Sequence, residues 1–202
     1  RRGNQLLIGH QGITLLDPLN LRSQRLCLPV RNRPGLTTDS LFFQKKAAQL
    51  PNGDLLLPTN IGEILYLNAR SNVCDLLSVQ PRHRAFSNSF ELSVLQEDRF
   101  GDVWVATSQG LVKVHFSSTG PETPVFSTTH VPLVPPDSLP DEMNWANWLD
   151  FGNGDTLWVA GNFGLFYWSP GATVCRTVPA VQGQGFRLFC DRQGRVWFKT
   201  GA

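Results

Sequence analysis

The 202 residues lack any run of about 18 apolar positions, so no segment reads as a membrane-spanning helix. Charge is scarce. Only 17% of residues are charged, and 18 Lys plus Arg stand against 16 Asp plus Glu, for a net charge of +2. That balance argues against nucleic acid as a partner. The densest basic patch, Arg82 to Arg84, has no interleaved aromatic platform and reads as a solvated loop. Cysteine is sparse too: Cys27, Cys74, Cys175 and Cys190 form no C-x-x-C pair, and no His stands beside one at metal-ligand spacing. They read as small buried hydrophobes, and no disulfide pairing follows from their positions. The four histidines, His10, His83, His115 and His130, lie outside any HExxH, nucleophile-elbow or phosphate-loop context. His10 falls in a turn and His115 at the end of a strand, which makes both structural or exposed. Acidic pairs occur at Glu97-Asp98 and Asp141-Glu142, but adjacent carboxylates on a strand point to opposite faces. No catalytic residue, metal site or cofactor is therefore expected. The opening residues, Arg1-Arg2-Gly3-Asn4, contain neither Met nor an apolar leader, and the chain is expected to be part of something longer.

What the sequence does contain is a repeat. Hydrophobic residues make up 41%, and 18 Gly and 14 Pro are spread along the chain, as suits many short strands and turns. Four segments share a pattern: NQLLIGHQGITLL from Asn4, GDLLLPTNIGEILYL from Gly53, GDVWVATSQGLVKV from Gly101 and GDTLWVAGNFGLFYW from Gly154. A fifth, GRVWFKTGA, starts at Gly194. The later glycine of the pattern falls at Gly12, Gly62, Gly110 and Gly164, spaced by 50, 48 and 54 residues. Six residues before each stands a large apolar anchor: Leu6, Leu56, Trp104 and Trp158, with Trp197 in the fifth copy. A period near 50 matches a propeller blade of four strands. Apolar runs of four to six residues between glycines are strands, and no amphipathic helix is discernible. The expected fold is all-β: a β-propeller of about four blades, each a four-stranded antiparallel sheet. The blade parts are expected at about 1–30, 36–80, 86–128, 143–178 and 184–202. The anchor strand is supplied at both ends, which favours an arc of a larger ring over a closed one.

The residue types explain themselves within that plan. Asp98 to Gly101 and Asp191 to Gly194 are four-residue turns, with Asp accepting backbone hydrogen bonds and Gly taking backbone angles that other residues resist. Leu50 to Gly53 is the same turn with Pro51 at its second position. The strand that follows, Val103 to Ala106 or Leu157 to Ala160, is apolar on both faces, as expected between neighbouring blades. Its Trp should fill the gap between them. Outer strands are expected at Leu26–Pro29, Asp75–Val79, Pro124–Ser127 and Val174–Val178, variable and polar as edges usually are.

The unit acidic-x-x-Gly-x-Val-Trp-Val-Ala-Thr-x-x-Gly-Leu, here Asp98 through Leu111, resembles the two-component regulator propeller repeat. Asp191 through Thr200 matches its first half; the copies at Gly154 and Gly53 match with drift, and the copy at Asn4 is weakest. No Trp-Asp dipeptide of a WD repeat and no paired-glycine kelch signature is present. The resemblance implies the extracytoplasmic sensor propeller of a bacterial receptor, on the periplasmic side of the membrane. A transmembrane helix and a histidine kinase or diguanylate cyclase would lie outside this chain, and the full receptor could dimerise. The implied partner is a small molecule or oligosaccharide. Loops before the inner strands are the candidate ligand contacts: Arg84 with Asn88, the stretch 141–148 with Asn144, Trp145 and Asn147, and Arg187 beside Gln184. Trp with Asn and Arg can stack on and hydrogen-bond a sugar or a small anion. Trp145 or Trp148 could equally be an inter-blade packing residue. The proline-rich stretch from Val131 to Pro140 reads as an extended connector. Two other functions fit the fold: a propeller enzyme acting on glycans or lactones, and a passive interaction scaffold.

Overall fold

The computed structural model describes residues 5–8, 12–17, 22–44, 46–80, 90–119, 123–135 and 144–201. Short strands separated by tight turns give five antiparallel sheets, each a meander in chain order. The first holds β1 (Gln5–Ile8), β2 (Ile13–Asp17) and β3 (Arg22–Leu26). The second holds β4 (Ala48–Gln49), β5 (Leu55–Pro58), β6 (Glu63–Leu67) and β7 (Cys74–Ser78). The third holds β8 (Leu92–Glu97), β9 (Val103–Thr107), β10 (Gly110–Ser118) and β11 (Val125–Val131). The fourth holds β12 (Ala146–Phe151), β13 (Leu157–Gly161), β14 (Gly164–Trp168) and β15 (Arg176–Thr177). The last is the hairpin of β16 (Gly185–Cys190) and β17 (Val196–Thr200). Complete 3₁₀ turns lie at Thr38–Ser40 and Asn153–Asp155. Three full blades thus stand between a three-stranded and a two-stranded sheet, an arc of a β-propeller.

The blades stack through their faces. Separate apolar clusters fill each gap: Ile13, Leu57 and Leu65 between blades 1 and 2, and Leu56, Leu95 and Val112 between blades 2 and 3. Trp104, Leu149 and Phe166 fill the gap between blades 3 and 4, and Ala160, Leu165 and Leu188 the gap between blades 4 and 5. Every residue of β9 is buried, because apolar side chains of both orientations meet a neighbour. Trp104 is 1% exposed, its ring 4.4 Å from that of Trp168 in the next blade. The inner strands line up beside one another: Lys46 bridges to Val94 in parallel, and Leu95 N donates to Lys46 O at 3.1 Å.

The first turn of the repeat is tied by one carboxylate. Asp98 Oδ1 accepts from the backbone N–H of Phe100 and Asp102, and Oδ2 accepts from the Trp104 indole at 3.1 Å. Asp191 does the same for Gln193, Arg195 and the Trp197 indole. The Trp197 indole, followed by Arg195, draws the Asp191 pKa below the usual carboxylate range. Blade 4 solves the turn differently. Gly152 stands where the Asp would be, and the Trp158 indole fills the space a Cβ there would occupy.

The later glycine has a second reason beyond its turn. Each link from one blade to the next crosses over this turn, and a Cβ on Gly62, Gly110 or Gly164 would lie 2.3, 2.8 or 2.5 Å from the carbonyl oxygen of Phe90, Val131 or Val181. At Gly110 and Gly164, φ is also +103° and +140°. Gly101 and Gly194 take positive φ in the first turn.

Several expectations need correction. The outer strand of blade 1 is Arg22–Leu26, four residues earlier than expected, because β2 and β3 pair from Ile13↔Leu26 to Asp17↔Arg22. The strand β11 extends to Val131, and β15 shrinks to two residues. The outer strand β7 is buried rather than polar, because the segment after blade 1 covers its edge. There Val30 bridges to Cys74, Arg31 pairs with the buried Asp75, and the Asn32 amide exchanges two hydrogen bonds with the Leu76 backbone at 2.7 and 2.9 Å. His115 lies within β10, not at its end. All four cysteines are free thiols, and Cys27 is exposed rather than buried. Burial pushes the Cys74 and Cys175 thiols up to about 12.

Candidate functional site

One end of the arc carries both the entries to the inner strands and the later turns. The register there repeats from blade to blade. The backbone N–H of Asn60, Ser108, Asn162 and Gly201 donates to the carbonyl of Phe42, Glu91, Trp145 and Gln184, at 2.9, 2.9, 3.1 and 3.0 Å. These four carbonyl-bearing residues are equivalent positions, one in each of blades 2 to 5, forming a rim where the chain enters the innermost strand. The turn side chains fix them. Phe42 N donates to Asn60 Oδ1 at 3.1 Å, and Glu91 N donates to Ser108 Oγ at 3.0 Å. Just beyond the rim the inner strands of blades 3, 4 and 5 each carry a bulge, at Leu92/Val94, Ala146/Trp148 and Gly185/Arg187. A bulge adds local twist and re-aims side chains, and bulges recur beside functional sites.

The rim is chemically mixed: two aromatic rings (Phe42 and Trp145), a carboxylate (Glu91) and an amide (Gln184). Ile61 and Phe163 at the turn apices add exposed apolar surface, 48% and 47% exposed. The equivalent Gln109 is buried, and its side-chain Oε1 has no hydrogen-bond partner. A cleft of about 380 Å³ opens between blades 2 and 3 at this end, lined by Asn60, Ile61, Glu63, Gln80, Phe90 and Glu91. Glu63 is held by Arg33 at 2.7 Å. The Glu97-Asp98 pair lies at the opposite end of β8. There burial first, and Asp98 second, raise the Glu97 pKa. Among the described residues no three His, Cys, Asp or Glu side chains are grouped to hold a metal ion.

The expected contact residues divide. Trp145 is on the rim and half-buried. Asn144 is 4% exposed, and its Oδ1 accepts from Leu133 N and Val134 N, capping the link from blade 3. Asn147 donates to Asn162 Oδ1 and to Gly185 O, both at 2.9 Å, tying blade 4 to blade 5. Gln184 donates to the same Asn162 oxygen at 3.2 Å. Trp148 is an inter-blade packing residue, touching the clusters on both sides of blade 4. Arg187 is exposed, its guanidinium 5.5 Å from the Trp148 ring centre. Arg84 and Asn88 lie outside the described residues, as does 141–143. Sequence reasoning missed Phe42 and Glu91. The signal was available: Phe42 lies 20 residues before Gly62, and Glu91 and Trp145 each lie 19 before their turn glycines.

Neither a family model nor a curated protein sequence matches the chain. Solved structures do share its fold. It is similar to the extracellular domain assigned to the hybrid two component system BT4673 from B. thetaiotaomicron, with a TM-score of 0.67, 14% identity, and 98% of this chain covered. It is similar to PorZ of Porphyromonas gingivalis, a surface component of the type-IX secretion system, at TM-score 0.66, 13% identity and 96% coverage. It is also similar to virginiamycin B lyase from Staphylococcus aureus, at TM-score 0.65, 11% identity and 98% coverage. The chain spans 25%, 29% and 59% of those three proteins.

Proposed function

We propose that this chain is a ligand-sensing, non-catalytic propeller portion of a membrane-bound signal-transduction receptor, of two-component kinase or diguanylate cyclase type, on the extracytoplasmic side. Two lines support the reading: the repeat, with its resemblance to the two-component regulator propeller, and the shared fold with extracellular domains of such systems. The observation that carries the binding role is the rim, where Phe42, Glu91, Trp145 and Gln184 recur at one register position. Aromatic faces beside hydrogen-bonding groups suit a small molecule or an oligosaccharide. Binding would favour one arrangement of the propeller, or of a receptor dimer, and so bias the output module. The likeness to a lyase supports the alternative of a propeller enzyme.

Thermal-shift screening of the chain against neutral saccharides and small metabolites tests the proposal. A rise in Tm that disappears in Trp145→Ala supports sensing at the rim. Turnover of a hit moves the enzyme reading forward. A response unaffected by Phe42→Ala, Glu91→Gln and Trp145→Ala removes the rim from the site.

A further inference from the structure

The outer strands of the blades are not alike. β3 carries Arg22 and Arg25, with Arg25 on Asp39 at 2.9 Å. β7 is covered along its edge by the segment that holds Val30 and Asn32. β15 is two residues long. Charge, cover and shortness each discourage a further strand from pairing with a sheet edge. β11 has none of the three. It runs for seven residues, VFSTTHV, without Asp, Glu, Lys or Arg, and Val125, Ser127, Thr128 and Thr129 are exposed. It pairs with β10 on its inner side, and among the described residues no strand pairs with its outer side. Blade 3 stands between blades 2 and 4, so this edge does not depend on where the chain begins or ends.

The order of residues along β11 points to its partner. Outward from Thr128 the strand has the same chemistry in both directions: the hydroxyls of Ser127 and Thr129, the rings of Phe126 and His130, then Val125 and Val131. An antiparallel partner runs the opposite way. A second β11 centred on Thr128 would therefore set hydroxyl against hydroxyl, ring against ring and valine against valine. Thr–Thr, aromatic and β-branched pairs stabilise antiparallel strands, and with no charged residue in β11 no like charges would meet. Both rings are already held within blade 3, Phe126 at 6.0 Å from Phe116 and His130 on the Gln109 carbonyl at 2.6 Å, so pairing need not order them. The cations beside them on β10, Lys113 and His115, rest on Asp102.

We propose that the outer edge of β11 docks a second copy of this chain. Two β11 strands pair antiparallel about a twofold axis at Thr128, and two four-stranded blades become one eight-stranded sheet. This inference is independent of the sensing reading, since the rim takes no part in it.

Variants of Thr128 in the whole 202-residue chain test it. The side chain is exposed, so they should fold, which circular dichroism checks. Sedimentation equilibrium should show a dimer, and Thr128→Lys or Thr128→Glu alone should weaken it about fivefold, because like charges then face each other across the axis. An equimolar mixture of the two variants should recover the dimer. In a Cys27→Ser background, which removes the exposed thiol, Thr128→Cys should form an intermolecular disulfide, since directly paired Cα atoms stand about 4.5–5.5 Å apart. Thr129→Cys should not, because its mate lies on the diagonal at about 7–8 Å. A monomer at every concentration overturns the proposal. So does association that Thr128→Lys leaves unchanged, a mixture no stronger than its parts, or a disulfide that forms as readily with Thr129→Cys as with Thr128→Cys.

Discussion

Trp104 and Trp197 occupy the same place in their repeats and hold the same indole hydrogen bond, yet one is 1% and the other 57% exposed. The two regions separate what a turn contributes from what a neighbour contributes. The Asp-x-x-Gly turn orients the ring without help from burial. The next blade then converts an oriented ring into a buried one. A repeat protein of this kind has local order within each unit and its stability largely at the interfaces.

The sharpest way to break the comparison is to remove both rings in turn. Trp104→Ala should lower stability by about 3–5 kcal/mol, because it empties the contact with Trp168 and leaves a cavity. Trp197→Ala should cost less than about 1 kcal/mol in the chain alone. Chemical denaturation reads both, and equal losses would mean that the turn rather than the interface carries the energy.

The next effect concerns the crossings between blades. Gly110→Ala should cost about 2 kcal/mol or more, from its positive φ and from the collision with the Val131 carbonyl. Gly101→Ala takes the same kind of strain with nothing within 4 Å of its new methyl, and should cost about 1 kcal/mol. The difference in midpoint between these two variants measures how tightly a blade seats the link to the next.

Removing the turn carboxylate sharpens the comparison further. Asp98→Ala should cost about 1–3 kcal/mol, since it strands the Trp104 indole N–H in a buried site. Asp191→Ala leaves an indole that water can reach, so its melting temperature should hardly change while the Trp197 indole resonance shifts in an NMR spectrum.

The smallest expected effect is electrostatic. Blade 3 carries Asp102 where blade 5 carries Arg195. Burial works against ionisation of Asp102, but hydrogen bonds from Lys113 and His115, at 2.6 Å each, outweigh it and hold its pKa below the usual range. A depressed folded-state pKa gives stability that is present above the unfolded value, near 4, and is lost as pH falls through the folded value. Asp102→Asn should therefore flatten the dependence of Tm on pH below about pH 4. An unchanged slope would place the acid sensitivity elsewhere.

The sequence made the architecture legible because its strongest signals are local. The spacing of Gly12, Gly62, Gly110 and Gly164, the Asp98 turn and the apolar run Val103 to Ala106 each follow from neighbouring residues. What stayed hidden depends on contacts across many residues. The outer strand of blade 1 shifted to Arg22–Leu26 because pairing with β2, not hydrophobicity, decides its register. β7 is buried because residues 44 positions earlier cover it. Asn144 and Asn147 read as ligand contacts by type, while the bonds of the Asn144 oxygen and the Asn147 nitrogen to the links between blades depend on residues far away in sequence. Single-residue bulges leave no mark on an apolar pattern, whereas the rim positions Phe42, Glu91 and Trp145 do keep a spacing of 19 or 20 residues to their turn glycines.

The Asn32 amide on the edge of β7 has a further consequence. A bare strand edge is a template: any passing chain can copy its hydrogen-bond pattern and extend it. An asparagine side chain satisfies the same N–H and C=O of Leu76 but offers no backbone of its own to continue the pattern. It acts as a terminator, ending the growth of the sheet at this edge much as a capped monomer ends a polymer.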